Sequence, residues 1–332
     1  MQKLLTIVVP VYNVEPYINK CLDSLILEDA NLMELLEVII VNDGTPDRSA
    51  ELSREYVKRY PKTFRQIDKE NGGHGSAWNV GLKEATGKYL RFLDSDDWLT
   101  NLDKLLNNLQ TTDVDVIVTQ VSIFYAKENR IEVKDSFKDI DGREMPIESE
   151  KFGAGISNFW HSTYKLSILQ PLHPLFLEGV SYDDTILCIV PHLMAKTFVA
   201  YDFVVYNYMQ GRAGQSIDLK VVQRKMNDYF VNYRHLIDFI GKTRDGVTDM
   251  FVDEVVADYR RKLFNIASII PDYKKSRCYI EEIKSLGSLD GIGCRDYGLY
   301  KRLPYRLFHH FARMKYNLKT TMRKAKYALK RN

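Results

Sequence analysis

The 332-residue sequence predicts an α/β fold, a mostly parallel sheet with helices on both faces, followed by a helical C-terminal region. Three observations predict it. Residues 4–11, LLTIVVPV, form a nearly unbroken apolar run, the pattern of a strand covered on both faces. Strand-like and helix-like stretches then alternate to about residue 120, as parallel sheets require. Polar groups gather where three of those strands end, at Asn13, at Asp43 and at 94–97, and ligands of such sheets bind beyond the carboxyl ends of the strands.

The elements follow in order. After Tyr12-Asn13, the residues Ile18, Leu22, Leu25 and Ile26 recur at helical spacing. A second strand over 36–41 ends in Asn42-Asp43-Gly44. Thr45 reads as an N-cap with Pro46 at the first helical position, opening a helix to about residue 60. A short third strand lies near 64–67. The Gly-rich loop 71–75 leads into a helix that Gly87 stops. A fourth strand is expected over 89–93, a helix over 99–110 and a fifth strand over 114–120. Beyond 121 come short β-type pieces at 121–125 and 131–133, a loop around 135–150, a helix starting at Asp183-Asp184 and strands around 198–208. From 217 to 287 the patterns are helical. The expected divisions are 1–216, 217–300 and 301–332.

With 45% apolar and 27% charged residues, the composition is that of a soluble globular protein. Met1-Gln2-Lys3 leads straight into a strand, so no signal peptide is expected, and no apolar run approaches the ~20 residues of a membrane span. Cys21, Cys188, Cys278 and Cys294 have neither metal-ligand nor disulfide-framework spacing; reduced thiols point to the cytoplasm.

FLDSDDW at 92–98 carries the chemistry. Three carboxylates, Asp94, Asp96 and Asp97, crowd the mouth of a buried strand, and two such groups ~4 Å apart repel by ~4 kcal/mol at an effective dielectric of 20. Read locally, Asp96 and Asp97 suit the N-terminus of the next helix. Read chemically, hard oxygen ligands on alternate residues suit Mg²⁺ or Mn²⁺ with a substrate diphosphate. The loop Asn71-Gly72-Gly73-His74-Gly75 is not a dinucleotide fingerprint, because position 78 is Trp and the loop does not follow the first strand. It suits close backbone approach to a ligand, with the helix start at 76–79 facing anionic groups. His74 alone is ambiguous.

Five segments together, IVVPVYN (7–13), VNDGTPD (41–47), NGGHGSAWNVGL (71–82), FLDSDDW (92–98) and SYDD (181–184), resemble the inverting family-2 glycosyltransferases of the GT-A fold, of the bacterial surface-glycan type. The resemblance covers roughly residues 4–216. It implies that Pro10, Tyr12, Asn13 and Asp43 hold the nucleotide base. Gly73 and Asn79 belong to the donor-binding loop, Asp94 and Ser95 meet the ribose, and Asp96 meets the metal. Asp184, the second member of an acid pair, falls on the catalytic base, and in YNYMQGRAGQSI (206–217) Arg212 and Ser216 fall near the diphosphate. Two departures stand out. Trp78 replaces the arginine usual before the Asn at 79, and the acid pair is Asp-Asp rather than Glu-Asp.

The expected activity is metal-dependent (Mn²⁺ or Mg²⁺) inverting transfer of a sugar, from a UDP-hexose, to a hydroxyl of a glycan, lipid-linked or glycoprotein acceptor. Independently of the resemblance, such a transfer needs one carboxylate to deprotonate the acceptor and a cation to neutralise the departing diphosphate. The alternatives are a nucleotidyltransferase, which would carry a Gly-rich basic loop directly after the first strand, and a catalytically silent nucleotide- or carbohydrate-binding protein.

The net charge of +3 hides an asymmetry. Eleven Lys/Arg and no acids lie from Lys301 onward; removing these eleven leaves −8 on the rest. Leu307, Phe311, Met314, Leu318, Met322, Ala325 and Leu329 form one narrow stripe at helical spacing, with the basic residues off it. Two uses fit: packing on the body or on a twin subunit in a homodimer, and lying on an anionic membrane surface. The missing acids favour the membrane, because a solvated helix gains from pairing opposite signs. The expected location is the inner face of the cell membrane, peripherally bound. No nucleic-acid motif accompanies the charge.

Overall fold

The structure is a computed structural model that describes residues 2–134, 138–147, 159–212, 215, 219–243, 250–287 and 295–329, with side chains of the last helix described to residue 319. The apolar run predicted as the first strand forms β1 (Leu5–Val11), buried at all seven positions. Next come α1 (Ile18–Asp23), α2 (Ala30–Leu35) and β2 (Leu36–Asp43), whose eight residues are also all buried. Then follow α3 (Ser49–Arg59), β3 (Phe64–Lys69), α4 (His74–Glu84), β4 (Tyr89–Phe92), β5 (Trp98–Leu99) and α5 (Leu102–Leu109). The sheet continues with β6 (Val116–Tyr125), β7 (Arg130–Lys134), β8 (Glu144–Pro146), β9 (Ser162–Lys165) and β10 (Thr197–Gln210).

The strand order is β3-β2-β1-β4-β9-β6-β10-β5, with β7 on β6 and β8 on β10. The first four strands are parallel: Leu5 of β1 pairs with Leu36 on one side and Tyr89 on the other. That register brings the ends of β1, β2 and β4 to one edge, and with them Asn13, Asp43 and Asp94. The short β9 then runs antiparallel between β4 and β6, and β6 and β10 restore a parallel pair.

Several elements depart from the sequence expectation. The helix after Pro46 starts three residues later, because Asp47 folds the turn on itself by accepting from the Ser49 N–H (3.0 Å) and the Thr45 hydroxyl (2.7 Å). Trp98 and Leu99 are not helical but pair with Asn207 and Tyr206 of β10. The pieces at 114–120 and 121–125 are one strand, β6, paired with β10 along its length, with the register shifting in β10 between Tyr201 and Tyr206. Part of the expected loop 135–150 is β8, and β9 carried no sequence signal. Asp183–Cys188 is a 3₁₀ turn rather than an α-helix.

Beneath the sheet edge, Trp78 is fully buried among Phe92, Phe159 and Phe176, with ring centroids 4.5, 4.9 and 5.1 Å away. The residue that departs from the usual arginine is therefore a core anchor. Arg91 is also fully buried; it donates to Thr163 Oγ1 at 2.8 Å and to the Trp160 carbonyl, and burial lowers its pKa to about 10.

The chain divides into two compact units, Met1–Gln215 with Arg234–Gly246, and Ser216–Tyr233 with Val247–Asn332. The first holds the sheet. The second is helical, with helices Leu219–Arg224, Met250–Ser268, Tyr273–Ser285, Arg295–Arg302 and Tyr305–Leu329, and the start of Met226–Thr243. Its core includes Phe230, Leu263, Phe264, Ile280, Ile283 and Phe308, all buried. No helix among the described residues is long and apolar enough to cross a membrane.

Candidate active site

Asp43 closes β2 and is almost wholly buried. Its carboxylate accepts from Lys69 Nζ (2.6 Å) and from the Gly72 and Gly73 N–H groups (2.9 and 2.8 Å). The N–H groups of the Gly-rich loop are thus turned onto Asp43. Gly73, with φ +87, occupies backbone space that a side chain would strain. Three donors leave about one of a carboxylate's roughly four acceptor sites open. At the end of β1, Tyr12 is exposed, and Asn13 takes left-handed φ (55°) with its N–H on Thr45 Oγ1 at 2.9 Å. Pro10 sits inside buried β1.

The crowded carboxylates resolve into three different environments. Asp97 is buried and accepts from the Tyr206 hydroxyl and the Met209 N–H, both at 2.7 Å, which ties the Asp97 loop to β10. Burial, then the charges of Asp96 and Asp94, push its carboxyl well above the usual range. Asp96 accepts from Arg212 Nε; burial and Asp94 raise its pKa, against the pull of Arg212. Asp94 accepts from His74 Nε2 at 3.1 Å. One oxygen from each of the three lies within 4.8 Å of the others, a hard donor set that fits a divalent cation, although Asp97 is already committed to β10. Ser95, between them, is buried. The helix-capping reading of Asp96 and Asp97 fails, because α5 begins at Leu102, beyond β5.

The loop and the acid pair meet. Gly75 is packed so closely that a Cβ there would lie 2.3 Å from the Leu177 carbonyl and 2.6 Å from Asp183 Oδ2. The Gly179 N–H donates to the Gly72 carbonyl at 2.6 Å. Asn79 holds the same segment: its Oδ1 accepts from the Leu175 and Phe176 N–H groups (both 3.0 Å), and its Nδ2 donates to the Phe176 carbonyl (2.8 Å). The helix start at 76–79, expected to face anionic groups, buries Ser76 and Asn79 instead. Asp183 is buried and meets His74 Nδ1 at 3.1 Å, while Asp184, next along the 3₁₀ turn, is half-buried. Tyr182 enters that turn with φ +67. Ser216 lies outside the described residues.

His74 is the site residue that sequence reading left ambiguous. Desolvation disfavours its charged form, but the carboxylates of Asp183 and Asp94 outweigh it and hold the imidazolium well above its ordinary range. The only signal was Trp78 in place of a cation four residues later. The charge crowded into FLDSDDW is therefore relieved by His74 on Asp94, Arg212 on Asp96 and neutral donors on Asp97.

A model of glycosyl transferase family 2 matches residues 6–171, half of the chain, and spans every element described above from β1 to β9. The chain belongs to this family. The glycosyltransferase GlyG of Streptococcus pneumoniae is 31% identical over 222 residues, covering 63% of this chain and 71% of GlyG. The uncharacterized glycosyltransferase EpsJ of Bacillus subtilis is 41% identical over 119 residues, which span 35% of this chain and only 33% of EpsJ. Residues 1–349 of S. aureus TarS, solved in complex with UDP, share the fold with a TM-score of 0.62 over 95% of this chain and 92% of that one, at 17% identity. This member of the family thus has the α/β architecture that its sequence predicts.

Proposed function

We propose that this glycosyltransferase is a metal-dependent, inverting hexosyltransferase that takes a UDP-sugar and glycosylates a hydroxyl of a surface-glycan, lipid-linked or glycoprotein acceptor. The observation that carries the reading is the convergence, at one sheet edge, of Asp43, the Asp94–Asp96 carboxylates and the Asp183-Asp184 pair. The UDP carried by TarS supports the choice of nucleotide.

In this reading Pro10, Tyr12 and Asn13 flank the base, and the acceptor site left open on Asp43 takes its N–H. Gly73 and Asn79 shape the loop beside the donor, and Asp94 and Ser95 bind the ribose. Asp96 holds Mn²⁺ or Mg²⁺, and Arg212 and Ser216 attend the diphosphate. The cation, when bound, neutralises charge on the leaving nucleoside diphosphate. Asp184 takes the proton of the acceptor hydroxyl as it attacks the anomeric carbon from the face opposite the leaving group. Residues 1–216 then form the catalytic part, and 217–300 carry the tail 301–332.

The tail reading draws on exposure. Phe308 and Ala312 are buried, whereas Leu307, Phe311, Met314 and Leu318 of the predicted stripe are 50%, 41%, 52% and 61% exposed. The helix is anchored by a different face. Arg306, His310 and Arg313 line the same groove as Met314 and Leu318, so apolar and cationic groups present together. That combination fits an anionic bilayer, at the cytoplasmic face of the cell membrane.

The deciding experiment is a panel of nucleotide sugars incubated with the full chain and Mn²⁺. Release of UDP that stops with a chelator, with inverted anomeric configuration in the product by NMR, is expected. Release of pyrophosphate instead would indicate nucleotidyl transfer, and no release from any donor would leave a silent binder.

A further inference from the structure

His74 is the first residue of α4, and its two ring nitrogens face carboxylates from two other parts of the chain. Nδ1 lies 3.1 and 3.3 Å from the two oxygens of Asp183, and Nε2 lies 3.1 Å from Asp94 Oδ1. A neutral imidazole has one donor and one acceptor nitrogen, so it would aim a lone pair at one carboxylate; only the imidazolium donates to both. The ring cannot swing freely. Trp78 backs it with a centroid separation of 4.1 Å, and Trp78 is itself locked in the aromatic core. Gly75 allows the loop to approach the Asp183 segment at a distance no other residue would permit.

The partners lie on opposite sides of the proposed reaction. Asp94 belongs to the donor side, and Asp183 precedes the proposed base in the chain. We infer that His74 is a positioning residue: its ring, held between the two carboxylates, fixes Asp94 against Asp183, so that the donor carboxylate and the base beside Asp183 are held in one geometry. The inference rests on the glycosyl-transfer reading of the site. It also accounts for the departure at position 78, because the loop's cation stands at 74 and Trp78 serves as its backing.

The test is a double-mutant cycle in the full chain, with His74→Gln, Asp183→Asn and the pair. Three quantities are read: thermal unfolding without nucleotide, UDP affinity with Mn²⁺ by calorimetry, and kcat with donor KM. Each single change is expected to lower kcat by about 10-fold or more and to weaken UDP binding for His74→Gln. The pair is expected to be little worse than the poorer single, because both remove one bridge. A purely structural clasp would lower the unfolding temperature and leave kcat and KM of the folded enzyme unchanged, and that result overturns the proposal. So do independent, multiplicative losses in kcat.

His74→Lys covers the case in which His74→Gln does not fold. It keeps the charge on a flexible stem with one head group, so UDP binding is expected near the wild-type value while kcat stays depressed. Full recovery of kcat by His74→Lys overturns fixed positioning. If the wild type neither binds UDP nor consumes any nucleotide sugar, the glycosyl-transfer reading falls instead. The unfolding cycle still reads the bridge in that case, and additive losses there would show that it does not exist.

Discussion

Asp96 and Asp184 differ in what surrounds them, and their proposed roles follow from that difference. Asp96 sits among like charges with Arg212 as its counter-ion, so losing the carboxylate should remove the reason for a cation to bind. Asp96→Ala is expected to abolish the Mn²⁺-dependent part of UDP binding in calorimetry; intact metal enhancement would sink the assignment. Asp184 is half-buried at the start of a 3₁₀ turn, one residue from the His74 contact. Asp184→Asn is expected to leave UDP affinity nearly unchanged while transfer falls about 100-fold or more, the scale on which a general base contributes. Near-normal transfer would move the role to Asp183.

The turn between β2 and α3 shows how a short element supports the site. Asp47 accepts from Thr45 and Ser49 hydroxyls and from the N–H groups of Ser49 and Glu15, while Thr45 in turn receives the Asn13 N–H. Burial works to raise the Asp47 pKa, but the hydrogen bonds from Ser49 and Thr45 outweigh it and hold the carboxyl at about 2. A depressed folded-state pKa contributes stability above the unfolded value of about 4, and that stability is lost as pH falls through about 2. Asp47→Ala should cost about 1–2 kcal/mol in urea unfolding at pH 7, on the scale of a lost capping residue. The gap to wild type should narrow between pH 4 and 2. A gap that stays constant down to pH 2 would contradict the ionic part of this account.

For the molecule as a whole, charge and apolar surface are distributed unequally, with an acidic body and a basic tail. At ~1 kcal/mol per basic residue near an anionic leaflet, half of the eleven would supply about 5 kcal/mol. The full chain is expected to co-sediment with anionic but not neutral liposomes. Phe311→Ser with Leu318→Ser, at exposed positions, should weaken that binding about 10-fold while the fold persists, read by circular dichroism. Binding indifferent to lipid charge would refute the membrane reading. Concentration-dependent dimerisation lost in the same variant would show that a second copy covers the stripe.

Local chemistry made much of the scaffold legible. β1 and β2 were readable because a strand buried on both faces must be largely apolar, and LTIVVPV and LEVII are, apart from Thr6 and Glu37, which satisfy each other when the Thr6 hydroxyl donates to Glu37 at 2.6 Å. Gly87 and Gly44, which follows β2 with φ 65, marked boundaries through their own backbone preferences. The carboxylate clusters were readable as types and spacings. What sequence could not supply was decided by contacts between distant residues. β9 is four residues long and is a strand only because β4 and β6 flank it. Asp97 looked like a helix cap until β10, more than a hundred residues on, supplied its donors. The tail's periodic stripe was legible, but which helix face packs depends on the surface it meets, and Phe308 and Ala312 took that place. His74 is the sharpest case: its partners lie 20 and 109 residues away, so its charge and its aim exist only once the chain has folded.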